Sequence, residues 1–147
     1  MSKTRILVHI VFTTKHRTPT IPLSNKRRLY AYMHAIINNK KCTTLRINGT
    51  SDHVHILVNL HPSLAVADLV RDLKQSTSLW LKDDIDFKGF QGWNSGYYAA
   101  SISSDAEEAC INYIKNQEEH HKSKNFIQES KELAIEYMLD WEERDWD

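Results

Sequence analysis

The chain has 147 residues, 41% of them hydrophobic, and its 19 basic side chains balance 19 acidic ones. This length and composition predict one globular domain with its own core. No apolar run approaches the roughly 18 residues of a membrane span, and the N-terminus lacks an apolar stretch of signal-peptide length. Cys42 and Cys110 have no ligand-type spacing, so we expect a cytoplasmic protein with reduced, buried thiols.

The charges are distributed unevenly along the chain. Residues 1–82 carry 13 Lys and Arg against 3 Asp and Glu, whereas residues 83–147 carry 6 against 16. A basic half can indicate a polyanionic partner such as nucleic acid. Alternatively, the acidic half can pack on the basic half, and the charges alone leave both interpretations open.

The first half of the chain alternates between strand and helix patterns. Residues 5–14 are rich in β-branched side chains and apolar on both faces, which predicts a central strand. Residues 25–38 place apolar side chains at helical spacing after Ser24, a candidate N-cap. Residues 42–48 predict a short strand that ends at a turn signal, Asn48-Gly49.

The next strand carries two histidines. Within residues 51–60, aliphatic side chains such as Val54 and Ile56 alternate with His53 and His55, which is typical of a half-buried strand. The two histidines therefore share one face, with their Cα atoms about 7 Å apart, and their imidazoles can point at one metal ion. By itself such a pair is more often two surface histidines.

The remaining elements complete an α+β pattern. Residues 64–82 predict an amphipathic helix, residues 92–103 a fourth strand, and residues 105–121 a third helix that begins with a capping box at Ser104. Residues 123–147 are acidic, and we expect a C-terminal helix and tail that dock weakly on the body.

This order of elements predicts a ferredoxin-like antiparallel sheet with helices on one face and a further helix toward the C-terminus. The other sheet face, with His53 and His55, would stay open for a ligand, a partner or the third helix. We therefore expect a single domain, residues 1–147, with a core at 1–122 and an acidic C-terminal segment at 123–147.

The third predicted helix brings further reactive groups to one face. Residues four apart on a helix lie one above the other, so Tyr113 and Gln117 share a face, with His120 and His121 one turn further on. A tyrosine can attack phosphorus when a metal polarises the phosphate. A glutamine carbonyl is a reasonable third ligand beside two imidazoles. In isolation, Tyr113 and Gln117 could equally be core or solvated residues.

Together these motifs resemble the single-tyrosine transposases of the HUH superfamily, including those associated with repetitive extragenic palindromes. The resemblance covers nearly the whole chain. It rests on His-Ile-Val-Phe-Thr-Thr-Lys-His-Arg at 9–17, Ser-Asp-His-Val-His-Ile-Leu-Val at 51–58, Leu-Lys-Gln-Ser-Thr-Ser at 73–78, Trp93 with Gly96-Tyr97, and Tyr-Ile-Lys-Asn-Gln-Glu-Glu-His-His at 113–121.

The resemblance implies a DNA transposase that cleaves and rejoins single-stranded DNA at hairpin-bearing element ends. Tyr113 would attack a DNA phosphate, giving a 5′-phosphotyrosine and a free 3′-hydroxyl. His53, His55 and Gln117 would hold one Mg²⁺ or Mn²⁺. Many members are homodimers in which the tyrosine helix of one subunit serves the histidine pair of the other, so a homodimer is expected.

Several basic side chains are candidates for DNA contact, and such contacts would make binding salt-dependent. They are Lys15, Arg17, Lys26, Arg27, Arg28 and Lys74.

Two other functions remain open. The fold could serve as a non-catalytic nucleic-acid-binding module, although an intact Tyr113 and Gln117 argue against it. The histidine pair could instead serve a metal-dependent nuclease or hydrolase, which would need further Asp or His ligands, and Asp52 is the only close candidate. His9 could face the site or be an ordinary sheet residue.

Overall fold

The computed structural model describes residues 1–146, so the last residue of the predicted acidic segment, Asp147, lies outside them. Its four strands form one antiparallel sheet in the order β2-β3-β1-β4. This order confirms the ferredoxin-like prediction. The strands are β1 (Leu7–Thr13), β2 (Thr43–Gly49), β3 (His53–Asn59) and β4 (Tyr98–Ser101).

Five helices pack on this sheet: α1 (Lys26–Asn39), α2 (Val66–Asp83), α3 (Glu107–Lys115), α4 (Gln117–His120) and α5 (Phe126–Glu136). None of the helices within residues 1–146 combines the length and the apolar character that crossing a bilayer requires. Cys42 and Cys110 are buried and unpaired, as predicted.

The two faces of the sheet carry separate apolar clusters. Alternate residues of β1 and β3, such as Ile10 and Ile56, pack with α1 and α2 in the main core. On the opposite face, Leu57 packs with α3, and Val11 packs with α5. Every residue of β1 is buried because both faces of this central strand are covered.

The predicted helix at 105–121 is interrupted at Asn116. The side-chain amide of Asn48 donates hydrogen bonds of 3.0 Å to the carbonyl oxygens of both Ile114 and Lys115. These oxygens would otherwise accept from the next helical turn, so the tertiary contact ends α3 there. The predicted capping box is also absent, since α3 begins only at Glu107, without a side-chain cap.

The predicted fourth strand is shorter than residues 92–103. Only Tyr98–Ser101 pairs with β1, and Trp93 forms an isolated bridge with Thr14. Between them, the carbonyl oxygens of Asn94 and Gly96 accept hydrogen bonds from the Lys74 ammonium at 2.7 and 2.8 Å.

The C-terminal segment packs closely on the sheet, in contrast to the weak docking expected from its acidic composition. Asn125 caps α5 with a capping box, and the buried face of α5 includes Phe126 and Leu133. Trp146 is 1% exposed, and its ring lies 4.4 Å from that of Tyr98 and 4.8 Å from that of Phe126. The sheet face that was expected to be partly open is therefore covered by α3 and α5.

Candidate active site

The two histidines of β3 lie side by side beneath α5. Both are fully buried, and their ring centroids are 5.2 Å apart. The neighbouring strand comes close at this point, because a Cβ atom at Gly49 would lie 2.1 Å from the carbonyl oxygen of His53. Only glycine allows that approach.

Each imidazole is held by a hydrogen-bond partner at its Nδ1 atom. His53 Nδ1 lies 2.7 Å from Asp52 Oδ1, and His55 Nδ1 lies 2.9 Å from His9 Nε2. His9 Nδ1 in turn lies 2.7 Å from the Tyr137 hydroxyl. Both Nε2 atoms therefore face the same interior point, as in histidines that bind metals.

The predicted tyrosine and glutamine reach this point despite the break between α3 and α4. Gln117 Oε1 lies 3.0 Å from His53 Nε2, and the Tyr113 ring centroid lies 5.8 Å from that of His55. All four predicted core residues thus meet within one chain. His121, which follows α4, also points its Nε2 atom into the site.

A carboxylate that the sequence did not single out occupies the centre of this group. Glu129, on α5, is 1% exposed. Its Oε1 atom lies 3.3 Å from the Nε2 atoms of both His53 and His55 and 3.0 Å from that of His121. Its Oε2 atom accepts hydrogen bonds from the Tyr113 hydroxyl and, at 2.9 Å, from Gln117 Nε2.

A signal for Glu129 exists in the sequence. Phe126, Glu129, Ser130 and Leu133 repeat at intervals of three and four residues, so the carboxylate lies on the apolar stripe of its helix. A glutamate is almost never fully buried unless it has a partner. Its position on that stripe therefore indicates a buried polar site.

The buried groups set one another's protonation. Burial opposes ionisation of Glu129, but the nearby histidines, His55 foremost, outweigh it and hold the pKa of this carboxyl well below its usual range. Burial lowers the pKa of His53, yet bonds to Asp52 and Glu129 raise it to about 9. The Tyr113 phenol has its pKa raised by burial and by the Glu129 charge, so it stays protonated.

The donor set fits a divalent cation. One ligand atom each from His53, His55 and Glu129 can be chosen so that all three lie within 4.8 Å of one another. Gln117 Oε1 faces the same point. Imidazole nitrogens combined with carboxylate and amide oxygens suit Mn²⁺, and the oxygens also suit Mg²⁺. Asp52 contacts the far side of the His53 ring, so it supports a ligand and does not extend the set.

Most of the predicted DNA-contact residues are engaged within the protein. Lys26 bonds Asn48, Gly49 and Glu118, Arg28 bonds Asp84 and Asp86, Arg17 bonds the Trp146 carbonyl, and Lys74 bonds the two carbonyls of the 94–96 segment. Lys15 lines a groove with Lys82 and Trp93. Arg27 lines a second groove, with Arg46 and Lys115.

The ferredoxin-like fold is that of solved transposase structures. One is a protein from Deinococcus radiodurans R1 described as a transposase, with a TM-score of 0.59 and 21% identity over 79% of this chain and 93% of that chain. Another is a REP-associated tyrosine transposase bound to a REP hairpin, with a TM-score of 0.62 and 12% identity over 82% of this chain and 74% of that chain.

The chain belongs to the IS200-like transposase family, whose model matches residues 2–117. It is 28% identical over 119 residues to the transposase for insertion sequence element IS200 of Salmonella typhimurium strain LT2, covering 78% of each chain. The Salmonella typhi protein of the same name matches equally. The predicted family is confirmed, and the chain is therefore a member of a family of enzymes that act on DNA. The family model matches up to residue 117, so its match ends before α5 and Glu129.

Proposed function

We propose that this chain cleaves and rejoins single-stranded DNA at hairpin-bearing element ends through a phosphotyrosine intermediate. The observation that carries the proposal is the convergence of the Tyr113 hydroxyl and the inward-facing Nε2 atoms of His53 and His55 within one buried site. Family membership supports a DNA substrate. A hairpin substrate is supported by the related fold of the REP-associated transposase that was solved with a REP hairpin.

In this mechanism Tyr113 is the nucleophile. Its oxygen attacks a DNA phosphorus, the O–P bond forms, and the P–O3′ bond breaks with its electron pair on the 3′ oxygen. The products are a 5′-phosphotyrosine and, after protonation, a free 3′-hydroxyl. Attack by another 3′-hydroxyl reverses these steps and rejoins DNA, so the energy of the phosphodiester bond is kept and no nucleotide cofactor is needed.

His53, His55 and Gln117 would hold one Mg²⁺ or Mn²⁺ through their Nε2 and Oε1 atoms. When bound, the cation would polarise the phosphate and stabilise the charge that develops on it. Asp52 and His9 hold the imidazoles so that their Nε2 atoms point inward. His53, His55 and Gln117 are buried, which limits the access of water to the atoms that would bind the cation.

The remaining expectations complete the proposal. We propose a homodimer, as the resemblance implies, although a second subunit is not needed to complete a site that one chain assembles. We propose a cytoplasmic location, where a chromosomal DNA substrate would lie. Lys15 and Arg27, whose side chains line the two grooves, are the preferred DNA contacts.

The test is formation of a covalent adduct with a single-stranded oligonucleotide that carries a hairpin, followed on denaturing gels. Wild type with Mn²⁺ should give an adduct, and Tyr113→Phe should give none while still binding the oligonucleotide. Tyr32→Phe, whose ring stacks on Trp80 away from the site, is the matched control. An adduct with Tyr113→Phe would overturn the nucleophile, and an adduct of undiminished yield in EDTA would overturn the metal role.

The same assay addresses the two alternative functions. Binding of the hairpin without any adduct would favour the non-catalytic binding module. Cleavage without an adduct would favour a metal-dependent nuclease, for which water is the nucleophile.

A further inference from the structure

We propose that Glu129 is a catalytic residue of this site: its Oε1 atom joins the histidine pair as a ligand of the divalent cation, and its Oε2 atom accepts the Tyr113 proton during attack. This inference rests on the proposed function and deepens it. Glu129 lies beyond residues 2–117, so nothing in the match to the family model assigns it a role.

The first argument is the convergence of acceptors. His53 Nδ1 contacts the Asp52 carboxylate, so the other ring nitrogen, Nε2, faces inward. His55 has the same arrangement in the tautomer whose Nδ1 donates to His9. The Oε1 atom of Glu129 lies 3.3 Å from both Nε2 atoms. These three ligand atoms lie close enough together to bind one divalent cation, which would take the place of the protons that they share in the metal-free site.

The second argument is the environment of the carboxylate. Removing a carboxylate from water costs several kcal/mol unless a partner compensates it. Within residues 1–146 the structure gives Glu129 no Lys or Arg partner, and its contacts are His53, His55, His121, Tyr113 and Gln117. A bound divalent cation would balance this buried carboxylate when the imidazoles give up their protons to serve as ligands.

The third argument is that the two carboxylate oxygens of Glu129 contact different groups. Oε1 faces the imidazoles, whereas Oε2 accepts the Tyr113 hydroxyl hydrogen bond. Gln117 also donates to Oε2, which turns its own Oε1 atom toward His53 Nε2. Glu129 therefore orients one predicted metal ligand and directly touches the nucleophile.

The proton transfer balances with the attack. As the Tyr113 oxygen forms its bond to phosphorus, its proton passes to Glu129 Oε2, and the 3′ oxygen leaves with the P–O3′ electron pair and takes a proton from water. On rejoining, the departing tyrosine oxygen takes the proton back from Glu129, as microscopic reversibility requires. The same contacts would also suit a carboxylate that fills the place of the scissile phosphate, and the test separates these two roles.

The test compares full-length wild type, Glu129→Gln, Glu129→Ala and the control Glu132→Gln. Glu132 lies on the same helix and bonds Lys124 at the surface. Isothermal titration with MnCl₂ should show an affinity at least about tenfold lower for both Glu129 variants and unchanged for Glu132→Gln. Unchanged or tighter Mn²⁺ binding by the Glu129 variants would overturn the ligand role. The isosteric Gln variant keeps the test valid if the Ala variant does not fold.

The proton-acceptor role is tested by the rate of adduct formation at saturating Mn²⁺ across pH. Loss of a general base should slow Glu129→Gln by about 10²–10⁴-fold near neutral pH, with the deficit shrinking as the pH rises and hydroxide takes over. Adduct formation by Glu129→Ala that is faster than wild type would overturn the role and identify the carboxylate as a block. A wild type that forms no adduct would overturn the proposed function and this proton transfer together, while the Mn²⁺ titration would still decide the ligand role.

Discussion

His9 Nε2 lies 2.9 Å from His55 Nδ1, which joins the central strand to the candidate metal site through two buried imidazoles. His9 pairs with Leu57 in the sheet and sits diagonally from His55 on the same face. Burial lowers the pKa of His9 to about 3, so the ring is neutral and acts as a hydrogen-bond partner without a charge. The histidine that the sequence left unassigned therefore faces the site.

We expect His9→Ala to weaken Mn²⁺ binding about 10–100-fold, because loss of a residue that orients a ligand costs this much. Isothermal titration measures the effect, and circular dichroism checks that the variant is folded. His34→Ala, on the exposed face of α1, is the control. His9→Gln, which retains hydrogen-bonding groups, should recover part of the affinity. An equal loss in the two His9 variants would indicate that His9 acts through packing alone.

Asn48, on β2, bonds the carbonyl oxygens at the end of α3 and so terminates that helix. We expect these hydrogen bonds to stabilise both the fold and the site. Asn48→Ala leaves the Ile114 and Lys115 carbonyls without their donor and removes a partner of Lys26. We expect the free energy of unfolding in urea to fall by about 1–3 kcal/mol. Asn38→Ala, at an exposed side chain that hydrogen-bonds His34 on the same helix, should change it by less than about 0.5 kcal/mol. Equal effects of the two substitutions would refute this role for Asn48.

Arg27 and Arg28 are adjacent in sequence but differ in their surroundings. Arg28 is held by Asp84 and Asp86, whereas Arg27 lines an open groove. We therefore expect Arg27→Ala to weaken binding of the hairpin oligonucleotide and to reduce the slope of log affinity against log salt by about 1. Arg28→Ala should leave that slope unchanged. Fluorescence anisotropy at several NaCl concentrations makes the comparison, and identical slopes for both variants would exclude an Arg27–phosphate contact.

Trp146 packs the C-terminal segment against the sheet. Because its ring is buried against Tyr98 and Phe126, we expect Trp146→Ala to lower the free energy of unfolding by about 3–5 kcal/mol. Met138→Ala, at a side chain that is fully exposed, should change it by less than about 0.5 kcal/mol. A loss below about 1 kcal/mol for Trp146→Ala would restore the weak docking that the acidic composition suggested.

The sequence by itself determined the sheet, the helices α1 and α2 and the candidate reactive residues. Alternation in β3 places His53 and His55 on one face, and spacing along the chain selects Tyr113 with Gln117, because these patterns depend only on the local period of the backbone. The resemblance to single-tyrosine transposases followed from the same motifs, and the family match confirms it.

Only the tertiary structure decided how the site is assembled. The break at Asn116 depends on an amide from another strand, and the place of Glu129 depends on α5 packing across the sheet. Neither contact can be predicted from the local periodicity of the sequence, because each joins residues that are distant in sequence. The Tyr113 hydroxyl and the histidine Nε2 atoms therefore meet at a carboxylate that local patterns alone did not identify.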